Sequence, residues 1–411
     1  MEKEKKKIII SSDTGFNGFK TVIGEYLGDG EAKLVLTTHH ASDIARYNGE
    51  SIINVVNDDA LYAVYITDTE RRKYICGDAA KNKYAGKFGG DDSLIKEFYS
   101  NSEDEYTDYK RFNTKGMAMM HLSVLTDAIE RLAGISEYSD ILTNPENYEL
   151  LIVVELPEAI AKDNSYQSTI KDYLKNNSQY SFSIEGFDEV KSAPDIVKNA
   201  LVVFTSQVYA SAVCEISAFD LDEDEVADKL LPMFVFDCGG KTDGIAVITE
   251  TFDLAEKRES NRAYSITKIC MNAAAEIKKV HNYTIAPELI ESKAMSGKLI
   301  MDANDSDEYV EIDVKEFYEK AVNKAITGLY EYVLNNYRSE LFSARSYMIA
   351  GGAGELYSEA LIEKIKGNFK NSKVEKEYIL AEGRYGNTAH GAIFSVAVGG
   401  FILGNNYFFA K

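Results

Sequence analysis

A chain of 411 residues has room for two or three domains of about 150 residues, and 45% hydrophobic with 27% charged residues excludes a mainly disordered, collagen-like or disulfide-scaffold protein. A formal net charge of −21 is repelled by phosphate backbones and anionic lipid, which argues against direct nucleic-acid or membrane-surface binding and favours a basic partner. Cys76, Cys214, Cys238 and Cys270 are far apart and lack Cys-x-x-Cys spacing, so they read as buried thiols of a reducing cytoplasm.

The basic stretch 1–7 is followed by only three isoleucines before Ser11, too short an apolar run for an export signal. No run approaches the roughly 18 apolar residues of a spanning helix, and the expected location is the cytoplasm. Three strands are expected at 7–12, 19–27 and 32–38, with turns at Asp13-Thr-Gly15 and Gly28-Asp-Gly30. Strands at 61–67 and 73–76 follow, then a polar surface stretch at 86–115. A helix at 115–132 repeats Met119, Leu122, Leu125, Ile129 and Leu132 at threes and fours.

Beyond it, strands are expected at 150–156 and 201–205, an acidic solvated loop at 219–229, and strands at 233–236 and 244–249. Helices at 266–280 and 314–334, a strand at 346–350, a helix at 355–369, a strand at 373–380 and a helix at 387–398 complete the chain. The tail 401–409 reads as packed core. Strands and helices alternate throughout, which is an α/β pattern.

One local event occurs twice, 224 residues apart: an apolar strand runs into Asp-x-Gly at Asp13 and again at Asp237, and another β-rich segment follows each. About two such triplets are expected by chance in this composition, so the triplet alone says nothing and its repeated context carries the reading. The chain is expected to have two similar halves, each opening with a β-hairpin whose turn carries the Asp.

Glycine turns of this kind let backbone N–H groups approach phosphate oxygens, and a neighbouring Asp supplies oxygens for hydrated Mg²⁺. Lys20 is placed to reach a phosphate or to lie solvated on its strand. A third glycine element, Ala350-Gly-Gly-Ala-Gly-Glu355, joins a strand to a helix. No Gly-x-x-x-x-Gly-Lys-Ser/Thr occurs, so a P-loop is excluded.

Asp13-Thr-Gly-Phe-Asn-Gly-Phe-Lys20 resembles the first phosphate loop of the actin-like ATPases, Asp237-Cys-Gly-Gly-Lys-Thr-Asp-Gly-Ile245 the second, and residues 350–355 the adenosine loop. All three stand in the family's order. Tyr74-Ile-Cys-Gly-Asp-Ala-Ala80 and Glu155-Leu-Pro-Glu158 are similar to further steps of that fold. Length and tyrosine- and lysine-rich composition look most like the plasmid-segregating ParM and Alp group.

The resemblance implies a duplicated, ribonuclease H-like actin fold. Its first domain would be 1–218 plus 386–411 with an insertion at about 39–80, its second 219–385 with an insertion at about 268–320. It further implies a cleft holding ATP, with GTP as the variant, and Mg²⁺ held through water by Asp13 and Asp237. Gly15, Asn17, Gly18, Lys20, Gly239, Gly240 and Thr242 would serve the phosphates, and Gly351, Gly352, Gly354 and Glu355 the nucleoside.

Two positions depart from the family pattern. Phe16 replaces a small polar residue, and Lys241 stands where Thr or Gly is usual, either beside the triphosphate or pointing to water. Gln207, in a segment resembling the family's connecting helix, is the candidate for orienting the attacking water. Its alternative is a helix-end hydrogen bond.

The implied function is an ATPase whose hydrolysis destabilises a self-assembled filament, and which segregates plasmid DNA through an adaptor protein without touching DNA or membrane itself. Two alternatives remain. One is a small-molecule kinase with Glu155, Glu158 or Glu215 as base; the other is a non-segregating cytoskeletal or cell-division homologue. The five histidines lack metal-ligand spacing, and His121 reads as a core residue of its helix.

Overall fold

The computed structural model describes residues 5–15, 18–41, 44–46, 61–66, 71–77, 80, 115–183, 191–192, 194–219, 221–302, 309–369 and 375–410. The chain divides into two compact units, Met1–Ala218 with Gly383–His390 and Phe394–Lys411, and Phe219–Glu382 with Gly391–Ile393.

The first unit is built on β1 (Lys6–Thr14), β2 (Phe19–Gly28) and β3 (Glu31–His40), an antiparallel meander. A small sheet in the order β4-β6-β5-β8-β9 follows from β4 (Ile44–Arg46), β5 (Leu61–Ile66), β6 (Arg71–Cys76), β8 (Tyr180–Ser183) and β9 (Lys191–Ser192). The main sheet is completed by β7 (Tyr148–Leu156), parallel to β1, and β10 (Leu201–Ser206), parallel to β7. Its order is β10-β7-β1-β2-β3.

Strand β1 is apolar without alternation because both of its faces are covered. Ile8 and Ile10 join the core under α1 (Lys115–Ala133), while Ile9 joins a second cluster under the C-terminal helix Ser395–Phe409. Helices α2 (Glu158–Ala161), α3 (Asn164–Lys175), α4 (Asp195–Lys198) and α5 (Gln207–Ser217) connect the strands.

The second unit repeats the plan. Strands β11 (Met233–Cys238) and β12 (Asp243–Ile248) form a hairpin, β13 (Glu259–Asn261) extends it, and β16 (Ser346–Ala350) and β17 (Glu377–Leu380) add in parallel, in the order β13-β12-β11-β16-β17. Its helices are α6 (Glu223–Lys229), α7 (Ile266–His281), α8 (Pro287–Ser296), α9 (Val314–Asn336), α10 (Arg338–Ser343) and α11 (Gly354–Asn368). A short ladder of β14 (Lys298–Asp302) and β15 (Tyr309–Asp313) lies between α8 and α9 in the chain. In both main sheets the first strand pairs antiparallel with the second and parallel with the fourth.

Three expectations need correction. The acidic stretch 219–229 is not all loop, because Asp222 and Glu225 form a reciprocal capping box that starts α6. The last helix begins at Ser395 rather than 387, since Gly386 (φ +55°) sits in a two-residue turn between paired strands Arg384–Tyr385 and Thr388–Ala389. And Ala392–Phe409 is in fact long and apolar enough to cross a membrane, with a mean hydropathy of 1.4. Half of that segment is buried in the fold, where the helix lies against β1, β2, β7 and α5. A helix covered on several sides is apolar all round for that reason. The surface stretch expected at 86–115 lies outside the described residues, except for Lys115.

Candidate functional site

In the first unit, Asp13 sits at the end of β1, opposite Lys20 on β2 and Glu155 on β7. This register explains the contacts. Lys20 Nζ donates to Asp13 Oδ2 at 3.1 Å, and Gln207 Nε2 donates to Asp13 Oδ1 at 2.7 Å. Asp13 is only 3% exposed, and both of its oxygens are therefore engaged where desolvation would otherwise penalise its charge.

Gln207 is held in place by its helix. It is the first residue of α5, whose N-cap Ser206 accepts from the backbone N–H of Tyr209 at 3.1 Å. Ser206, not Gln207, caps the helix, so the side chain of Gln207 is left for Asp13. Gly15 and Gly18 bracket the turn between β1 and β2; Phe16 and Asn17 lie outside the described residues.

In the second unit, Asp237 is the next-to-last residue of β11, opposite Gly244 on β12 and Ala350 on β16. Gly239, Gly240, Lys241 and Thr242 form the connection to β12. Its carbonyls cap α7: Thr267 donates to Gly240 O from both its backbone N–H and its hydroxyl, each at 2.9 Å. Ser265, the N-cap residue, makes no side-chain cap of its own, and the loop supplies the acceptors that the first N–H groups of a helix need.

The third glycine element is joined to this loop. Gly351, Gly352 and Ala353 connect β16 to α11, and the Ala353 N–H donates to Cys238 O at 2.9 Å. Gly351 has φ +84°, and a Cβ there would stand 2.5 Å from Asp237 Oδ1, so both conformation and space require glycine. Gly354 opens α11 and Glu355 is its exposed second residue. The two motifs of this unit thus form one contiguous surface around Asp237.

Asp243, the first residue of β12, belongs to the second glycine motif but has no site role legible in the sequence. It is 1% exposed, and among the described residues neither carboxyl oxygen has a hydrogen-bond partner. Burial, reinforced by the nearby Asp237 charge, holds its carboxyl well above the usual range; the Gly239 backbone opposes the shift without reaching hydrogen-bond geometry. The signal was an acidic residue in a strand whose other five members are all buried.

Asp237, half-buried beside a glycine turn, suits a hydrated cation accompanied by an anion, whereas Asp243 is buried behind it. Among the described residues no three His, Cys, Asp or Glu side chains are grouped to hold a bare metal ion. The kinase alternative fares worse. Glu155, Glu158 and Glu215 are all buried, and Glu215 Oε1 accepts from the Gly383 N–H at 2.8 Å.

No family model matches the sequence, and no curated protein matches it. Solved structures do. A 15-stranded ParM filament from Clostridium botulinum is similar at 17% identity with a TM-score of 0.64, covering 98% of this chain and 99% of that one. An archaeal actin homolog is similar at 15% and 0.59 over 98% and 100%, and Bacillus thuringiensis ParM with ADP at 13% and 0.52 over 98% and 99%. The chain has the actin-like fold, consistent with its two matching sheets.

Proposed function

We propose that this protein is a filament-forming actin-like ATPase that binds one Mg-ATP with both halves of its duplicated fold. The observation carrying this reading is that the same strand of each repeated sheet has an Asp as its next-to-last residue and runs into a glycine turn, at Asp13 and Asp237. Gly15, Asn17, Gly18 and Lys20 would serve the phosphates from one half, and Gly239, Gly240 and Thr242 from the other. Gly351, Gly352, Gly354 and Glu355 would pass beside the nucleoside.

Hydrated Mg²⁺ held by Asp13 and Asp237 would neutralise charge developing on the phosphates. Gln207 would orient the attacking water, because a neutral amide positions water without taking its proton, and phosphoryl transfer depends mainly on positioning and electrostatics. Assembly would be head-to-tail, as non-closing heterologous contacts generate filaments, and hydrolysis would weaken it. The nearest use is segregation of plasmid DNA in the cytoplasm through a basic adaptor, which the charge of −21 favours over direct DNA contact.

Sedimentation and electron microscopy of the purified protein test this. Mg-ATP should produce filaments that decay as phosphate is released, and added salt should promote assembly by screening protomer repulsion. Absence of polymer across protein and salt concentrations would rule the filament out. ATP turnover that requires an added hydroxyl acceptor would point to a kinase instead.

A further inference from the structure

Ser11 Oγ lies 2.7 Å from Glu155 Oε1 and 2.5 Å from the carbonyl oxygen of Ala397. A serine hydroxyl carries one proton, while an ionised carboxylate and a carbonyl both only accept. With Glu155 ionised, one of these contacts would set two lone pairs against each other. Ser11 and Glu155 are both fully buried, so bulk water does not relieve that conflict.

Among the described residues Glu155 Oε2 has no hydrogen-bond partner, and an unpaired buried charge costs far more than an unpaired neutral oxygen. On the side of the C-terminal helix, a Cβ on Gly400 would stand 1.8 Å from Glu155 Oε1, so the helix backbone rests on the carboxyl group itself.

We propose that Glu155 is a neutral carboxylic acid that donates its O–H to Ser11 Oγ, leaving the Ser11 proton for the Ala397 carbonyl, and that this chain of hydrogen bonds positions the end of β1. It ties β7, β1 and the C-terminal helix together two residues before Asp13. The same helix packs on α5, where Ser395 and Ser211 hydroxyls meet at 2.9 Å, and α5 begins with Gln207, the partner of Asp13. Glu155 is therefore a positioning residue acting through Ser11, not a base. The proposal rests on the functional reading only for what Asp13 then binds.

The test uses the full chain without nucleotide, so its outcome is independent of whether ATP binds. A Glu155→Gln variant offers an amide N–H to Ser11 and preserves the chain, whereas Ser11→Ala strands a buried O–H and a carbonyl. The infrared difference between wild type and Glu155→Gln at neutral pH should show loss of an un-ionised carboxylic C=O band. Glu155→Gln should melt close to wild type, and Ser11→Ala several degrees lower with faster amide exchange at Asp13 and Thr14. Loss of carboxylate bands instead, a Glu155→Gln variant that unfolds, or unchanged exchange at Asp13 and Thr14 in Ser11→Ala would overturn it.

Discussion

Gln207 and Asp13, 194 residues apart in the chain, are joined by a 2.7 Å hydrogen bond from the amide Nε2 to Oδ1. The start of α5 and the end of β1 are thus fixed to each other before any ligand is considered. Gln207→Ala should lower ATP turnover by about 10²-fold, the loss typical of misplacing a reacting group by an ångström. Single-turnover phosphate release would show it, and a variant turning over like wild type would remove Gln207 from the chemistry.

Lys20 and Asp13 form a largely buried ion pair, with side chains 15% and 4% exposed. Lys20→Met should cost about 2 kcal/mol in nucleotide-free urea unfolding, the usual value for a hydrogen bond to a charged group. Adding Asp13→Asn should recover part of that loss, because no unpaired charge then remains. Additive costs in the double variant would mean that the pair contributes nothing.

His121 gives the native state a defined acid sensitivity. Its Nδ1 lies 2.7 Å from the Tyr173 hydroxyl, Nε2 has no hydrogen-bond partner among the described residues, and burial lowers its pKa from the ordinary 6.5 to about 3. Between those values the unfolded chain holds a proton that the native state excludes. The stability supplied by this group is complete above pH 6.5 and is lost as pH falls toward 3, by at most about 1.4 kcal/mol per unit. Urea unfolding of His121→Gln should show a shallower pH dependence than wild type over that window; equal slopes would contradict the assignment.

Gly399 is where the C-terminal helix meets α5. A Cβ there would stand 1.7 Å from the backbone oxygen of Ala210, so Gly399→Ala must push the two helices apart. Overpacking of this kind costs about 1–3 kcal/mol, readable as a lower melting temperature. Gly367→Ala, with open space around it on α11, is the control and should not lower the melting point.

Much of this arrangement was legible in the sequence for physical reasons. The unbroken run Ile8, Ile9 and Ile10 marks a strand buried on both faces, and the spacing from Met119 to Leu132 marks a helix, although the fold buries that helix on every side from 116 to 129. The strands at 44–46, 259–261 and 298–302 were not legible, because short edge pieces carry no period. The C-terminal helix was misplaced because its apolar run shows little periodicity.

At the candidate site, the paired aspartates and glycine turns stood out through repeated context. Asp243 and the chain through Ser11 did not. Their meaning depends on which side chain is buried opposite which, and that is fixed only by strand register and by the backbone of Gly400 lying on Glu155.

The most direct test of the central claim is calorimetric titration of the chain with ATP and Mg²⁺ under non-assembling conditions, beside Asp13→Asn and Asp237→Asn. One site per chain, lost or strongly weakened by either substitution, is the predicted result. Two independent sites, or a site that survives one of the substitutions intact, would show that the two turns do not share a nucleotide.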